Sequence, residues 1–311
     1  VHHETAFIFP GQGSQFAGMG RDIAERYPEA REVFSAIDSA LGFPISQLCF
    51  EGPEEQLQRT ENTQPAILAV SAALHAVIKA HAKIQADIVA GHSLGEYSAI
   101  VAAGGLSPAS AASVVRSRGR FMQEAVPMGE GAMAAIIGAD LEAVQSICDA
   151  AAEQDTVSPA NINAPGQIVI SGSRAAVERA MLVAKERGIR KTLLLPVSAP
   201  FHCVLMKPAE DRLQPVLESA DFHSLEVPLV SNVDASPIGT EQALRNALLR
   251  QVVSPVRWVE SVQRMIEMGV KRFVEIGPGS VLTGLIRRID KNVETVNVNH
   301  AASLADFLDA R

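Results

Sequence analysis

A serine stands between two glycines in GHSLGE, residues 91–96, and the chain changes grammar at it. Ala86 to Ala90 is short, apolar and β-branched in its middle, whereas Leu94 to Ala103 is alanine-rich and stops at Gly104 and Gly105. Ser93 is therefore read as the corner between a strand and a helix. G-x-S-x-G at such a corner matches a nucleophile elbow, in which a tight turn exposes the hydroxyl at the carboxyl end of a sheet and the glycines let backbone pass close by. The chemistry on offer is acyl transfer through a serine ester. An ordinary turn with an idle serine satisfies the same five residues, so the accompanying residues decide.

A serine nucleophile needs a base. His75 and His81 fall in a helical stretch, His223 and His300 in polar text, and His92 beside the serine itself. His202, in VSAPFHCVLM, follows a strand-like run that ends at Ala199 and Pro200, where a helix is expected to begin, and could face the elbow from a domain junction. Packing in the core is the competing role for it. Cys203 offers a second nucleophile, but neighbours along a chain rarely face each other productively, and Ser93 has the better turn.

Ser107 and Pro108 open a further helix as N-cap and first-turn proline, with an apolar stripe at Val114, Val115, Phe121, Met122 and Ala125. Arg118 lies on that stripe, three and four residues from Val115 and Val114, while Arg116 and Arg120 point elsewhere. A guanidinium on a core-facing stripe is costly unless paired, so Arg118 calls for a carboxylate, either of the protein or of a ligand. Next to an elbow serine, the second option suggests a substrate with a thioester or ester at one end and a free carboxylate at the other, such as a malonic half-ester.

The elements that must position these groups alternate. Strand-like TAFIFPG, ADIVAGHS, VPLVSNV and KRFVEIGPG are separated by helices near 65–82, 94–103 and 108–125, which predicts a mainly parallel, α/β-hydrolase-like sheet with helices on both faces. Between residues 128 and 197 the order becomes β-α-β-β-α-β, the split βαβ of a ferredoxin-like subdomain. The expected division is thus 4–127 with 198–311 as the catalytic unit and 128–197 as an insertion, with a cleft between them.

Composition narrows the classes. The 311 residues are 47% hydrophobic and 20% charged, with a formal net charge of −8 and no long basic tract, which argues against a nucleic-acid surface. No apolar run approaches the ~20 residues needed to cross a bilayer, and neither a basic leader nor a cleavage-type apolar core opens the chain, so a cytoplasmic protein without membrane contact is expected, with His2 and His3 as a leader or tag remnant. Three scattered cysteines form no disulfide framework, and the eight histidines lack ligand spacing, so no metal is expected. Basic clusters at Lys185, Arg187, Arg190 and Lys191, at Lys271 and Arg272, and at Arg287, Arg288 and Lys291 are either solvated surface or a dock for an acidic protein.

FPGQGSQ, GHSLGEYSA, the R-x-R-G-x-x-M-Q stretch at 116–123, NINAPGQIVISG, PFH at 200–202, QVVSPVRW and EIGPGSVL occur in this order from about Thr5 to Val298. Together they resemble the malonyl-CoA:acyl carrier protein transacylases of bacterial type II fatty acid synthesis. The resemblance implies Ser93 as acylated nucleophile, His202 as base, the backbone N–H groups of Gln12 and Leu94 as oxyanion donors, Arg118 as clamp for the malonyl carboxylate, and the backbone carbonyl of Gln251 as the group orienting His202 in place of an acidic triad member. It also implies a ping-pong transfer from malonyl-CoA to acyl carrier protein by a monomer with no cofactor, coenzyme A and phosphopantetheine being substrate carriers. Phe201 accompanies malonyl preference in related acyltransferases, and His92 and Gln167 are further pocket candidates. Ser280 departs from the family, where lysine is common. The competing readings are a serine hydrolase on the same residues, a non-catalytic acyl carrier protein or CoA binding module, and a discrete polyketide synthase acyltransferase.

Overall fold

The computed structural model describes residues 4–197 and 199–310. His2 and His3, and Ser198, where the sequence reading returns to the larger unit, lie outside the described residues. The chain begins with β1 (Thr5–Phe9), α1 (Arg21–Arg26), α2 (Pro28–Leu41), α3 (Ile45–Glu51), α4 (Glu54–Leu57), α5 (Thr60–His81), β2 (Ile88–Gly91), α6 (Gly95–Ala102) and α7 (Pro108–Glu124). Next come β3 (Gly131–Ile137), α8 (Leu141–Ala152), β4 (Val157–Ala164), β5 (Gln167–Ser173), α9 (Arg174–Glu186) and β6 (Lys191–Leu194). A 3₁₀ turn at Val204–Met206 leads into α10 (Lys207–Ser219), β7 (Leu229–Val230), β8 (Pro237–Ile238), α11 (Glu241–Gln251), α12 (Trp258–Glu267), β9 (Arg272–Ile276), α13 (Val281–Ile289), β10 (Glu294–Val298) and α14 (Ala301–Asp309).

One sheet runs β10-β9-β1-β2-β7-β8, parallel except where β8 turns back on β7. Its inner strands β9, β1, β2 and β7 are buried on both faces, and the period of two along β1 sorts them: Phe7 and Phe9 join the core built on α5, while Ala6 and Ile8 join the one built on Trp258, Val262 and Leu285. The expected strands are all present, VPLVSNV only as the two residues of β7, and ETVNV adds an edge strand. The 22-residue α5 is long and apolar enough to cross a bilayer, unlike anything the sequence reading singled out, but its apolar window is 83% buried inside the protein as a core helix.

The second sheet, β4-β5-β3-β6, is antiparallel throughout, and its strand order is that of a split βαβ unit. Alternation again assigns the faces. Ala132, Ala134 and Ile136 pack with Val144, Ile147, Ala176 and Val177 of α8 and α9, whereas Met133, Ala135 and Val169 belong to the core of the larger sheet. The inserted sheet therefore roofs the end of the parallel sheet where β2 meets α6. Mutual backbone bonds, Ile162 N–H to Val256 O at 2.9 Å and Val256 N–H to Ala160 O at 2.8 Å, stitch the two units together.

His75, in α5, stands edge-on to the rings of Phe7 and Phe9 at 6.1 and 6.3 Å, and burial pushes its pKa from the ordinary 6.5 to about 4. The folded chain thus binds fewer protons here than the unfolded one, so this stabilisation is full above pH 6.5 and is lost as pH falls towards 4, by on the order of 3 kcal/mol at most. Thermal midpoints measured across that window are expected to fall with acid, and His75→Leu to flatten the fall.

Candidate active site

The elbow is built by exclusion of side chains. A Cβ on Gly91 would stand 1.9 Å from Gly95 O, one on Gly95 2.1 Å from Phe9 O, and one on Gly11 2.4 Å from His92 O, so only glycine lets the turn, β1 and the 9–15 loop approach this closely. Ser93 itself takes φ 52°, a left-handed conformation that costs roughly 1–3 kcal/mol and must be held. Asn232, two residues past β7, does the holding: its Oδ1 accepts from Ser93 N–H at 2.8 Å and its Nδ2 donates to Gly91 O at 2.7 Å.

His202, buried and also at positive φ, brings Nε2 to 2.7 Å from Ser93 Oγ. Its Nδ1 lies 2.9 Å from the Gln251 carbonyl, so that N–H donates there and Nε2 is left to accept the serine proton. Burial, reinforced by the nearby Arg118 charge, pushes the imidazole pKa to about 3 and keeps it in the neutral, proton-accepting form. Among the described residues no carboxylate hydrogen-bonds to this ring.

Arg118 is 1% exposed and meets amides rather than acids. Its Nη1 donates to Gln64 Oε1 at 2.8 Å, and its Nη2 to Gln251 Oε1 at 2.8 Å and Ser93 Oγ at 3.2 Å. Nε has no hydrogen-bond partner among the described residues. Of the two options open from the sequence, the protein does not supply the direct one: among the described residues no carboxylate forms an ion pair with this guanidinium.

A cavity of about 100 Å³ opens over Ser93, far below the roughly 300–1,000 Å³ of sites for drug-sized ligands. Gln12, Leu94, His92, Phe201 and Arg118 line it, as do Gln64, Met122, Met133, Asn161, Leu195 and Val197. The N–H groups of Gln12 and Leu94 find no acceptor among the described residues, which leaves them able to serve an oxyanion. His92 is anchored by Nε2 on Asn163 Oδ1 at 2.7 Å and leans on the Trp258 ring. A wider cleft, about 920 Å³, reaches His202 and Val204 between α8, β4 and Arg257.

Gln167 does not line the cavity. It pairs with Ile137 at the far end of β3, four residues or about 13 Å along the strand from cavity-lining Met133, and its Oε1 accepts from Arg288 at 2.7 Å. Cys203 lies close, but its Sγ bonds Pro200 O at 3.2 Å and burial pushes its thiol pKa up, away from a thiolate. No cluster of three or more potential metal ligands occurs among the described residues. The sequence reading missed Gln64, Asn232 and Glu96. Glu96 leaves one compositional trace, as the only charged residue in the stretch 94–103, but no spacing that assigns it a role.

An α/β-hydrolase-like core carrying a roofed serine–histidine pair marks the serine acyl-transfer class, which acyltransferases share with serine hydrolases. Residues 6–305 match the acyl transferase domain family. The chain is 47% identical to the malonyl CoA-acyl carrier protein transacylase of Escherichia coli strain K12 over 98% of this chain and 99% of that one, and 48% identical to that of Bacillus subtilis strain 168 over 95% and 93%. In structure it is similar to an acyl carrier protein S-malonyltransferase from Vibrio cholerae (TM-score 0.95, 46% identity, 97% and 99% covered). It is equally similar to a malonyl-transacylase in complex with its type II PKS acyl-carrier protein (TM-score 0.96, 46%, 98% and 99%). The chain belongs to the acyl transferase family and, within it, to the malonyl CoA-acyl carrier protein transacylases.

Proposed function

We propose that this protein moves the malonyl group from malonyl-CoA to the phosphopantetheine thiol of acyl carrier protein through an ester on Ser93, supplying fatty acid elongation. The observation that carries the reading is convergence on one hydroxyl: Ser93 Oγ has the base at 2.7 Å and the carboxylate-binding fork at 3.2 Å. In the first half-reaction Oγ attacks the thioester carbonyl while His202 Nε2 takes its proton. The N–H groups of Gln12 and Leu94 hold the tetrahedral oxyanion, each worth on the order of 10²–10³-fold in rate. The C–S bond then breaks, and the His202 proton goes to the departing CoA sulfur.

In the second half the carrier thiol gives its proton to His202, its sulfur attacks the ester carbonyl, and the Ser93 oxygen leaves with that proton. No metal or cofactor is invoked. Arg118 grips the malonyl carboxylate in both halves, and the ring of Phe201 bounds the space beside it.

The test is intact-protein mass after brief mixing with malonyl-CoA, followed by a chase with phosphopantetheinylated carrier. A malonyl adduct that passes to the carrier is the expected result. An adduct lost only to water would favour the hydrolase, and an unlabelled protein the binding module.

A further inference from the structure

Burying a guanidinium without a counter-charge costs several kcal/mol, and the amides that Arg118 contacts are neutral. A carboxyl group does lie behind them. Glu96, three residues past the nucleophile in α6, is completely buried; its Oε1 accepts from Asn232 N–H at 2.9 Å and its Oε2 accepts from Gln251 Nε2. The same Gln251 amide gives its Oε1 to Arg118 Nη2 at 2.8 Å. One carboxamide thus spans guanidinium and carboxylate, oxygen towards the cation and nitrogen towards the anion. Flipped, it would set NH₂ against guanidinium donors and C=O against carboxylate oxygens, losing both bonds, so its orientation is fixed from two sides.

We propose that Glu96 is the internal counter-charge of Arg118, coupled to it through the Gln251 side chain, and that this positioning residue tunes the pocket for acyl groups bearing a carboxylate. The carboxylate-bearing ligand rests on the malonyl reading above; the coupling itself does not. A carboxylate bonded directly to Arg118 would occupy the fork, and substrate would have to displace it. Placed one amide away, Glu96 lowers the cost of burying the cation and leaves the fork open. An incoming malonyl carboxylate then shares the cation with Glu96, which restrains ground-state binding and eases hand-over to the second carrier.

Gln251 joins the coupling to the chemistry, because its backbone carbonyl holds His202 Nδ1 and its Nε2 also donates to Ser93 O at 3.0 Å. Burial pushes Glu96 up to about 7, against the hydrogen bonds from Asn232 and Gln251 and the Arg118 charge that favour its ionised form, with Asp234 adding to the rise. Measurements at pH 8 therefore address the carboxylate.

The experiment is a double-mutant cycle of Glu96→Gln and Arg118→Met in the full chain at pH 8, read by thermal midpoint, with acylation by malonyl-CoA and acetyl-CoA followed in wild type and Glu96→Gln. Each single variant strands one buried charge and is expected to lose about 4 °C or more, while the double variant recovers at least half of the summed loss. Glu96→Gln is expected to lower KM for malonyl-CoA by about tenfold, since the cation is no longer shared, and to lower kcat for both thioesters as Gln251 loses its anchor, leaving KM for acetyl-CoA unchanged. Additive losses in midpoint, or equal changes in KM for both thioesters, would make Glu96 a structural acceptor only and overturn the proposal. If Glu96→Gln alone does not fold, a folded double variant supports the coupling and an unfolded one sinks it. A wild-type protein that takes no malonyl group would fail the functional reading, while the thermal cycle would still decide the coupling.

Discussion

Ser93→Ala is expected to abolish the malonyl adduct and to slow transfer to the carrier by on the order of 10⁵-fold or more. No second nucleophile can stand in. Cys203 is the nearest candidate by type, but it is buried with its Sγ on Pro200 O and its thiol pKa raised. The elbow should survive the substitution, because its shape depends on contacts that the hydroxyl does not make: the Asn232 bonds to Ser93 N–H and Gly91 O, and the close approaches at Gly91 and Gly95. Alanine tolerates φ 52° about as poorly as serine does, so little changes in backbone strain. The melting temperature is therefore expected to stay within a few degrees of wild type, and malonyl-CoA binding, measured by calorimetry, to persist through Arg118 and Gln64. A malonyl adduct of undiminished yield on this variant would move the nucleophile elsewhere.

What the sequence revealed of this site follows from how local each signal is. Ser93 announces itself because an elbow needs two glycines within two residues on either side, and Arg118 because a helix exposes its stripe through spacings of three and four. Alternation along TAFIF and the β-α-β-β-α-β order are likewise read within a few residues. The network behind the site has no such signature. Asn232 meets Glu96 across 136 positions and Gln251 meets Ser93 across 158, so these partners are joined by the parallel sheet and not by spacing. Glu96 sits on a helix buried on nearly all sides, where no apolar stripe exists to set it against. Gln167 failed in the opposite way: a polar residue within a family motif proved to lie at the wrong end of its strand, and only the β3–β5 register places it there.

Arg118→Ala separates transfer of a charged acyl group from generic serine chemistry. Losing a buried, charge-assisted fork costs about 3–5 kcal/mol, so acylation by malonyl-CoA is expected to fall roughly 10²–10⁴-fold. Acetyl-CoA brings no carboxylate to the fork and should lose far less. The absolute rates of both thioesters will also carry the consequences of stranding Glu96 and of removing the 3.2 Å contact to Ser93 Oγ, and these are shared, so the ratio of malonyl to acetyl acylation is the informative quantity. Arg118→Lys refines the argument. It keeps the charge but offers a point donor where Gln64 Oε1, Gln251 Oε1 and the ligand require a planar fork, and should recover only part of the ratio. If the two thioesters slow by the same factor in Arg118→Ala, the guanidinium supports the fold and the serine without selecting the acyl group, and the cavity alone would have to discriminate. A 100 Å³ space that accepts malonyl is also large enough for acetyl, so size cannot favour the larger acid; selection for a carboxylate has to come from the one cation that the cavity contains among its described lining residues.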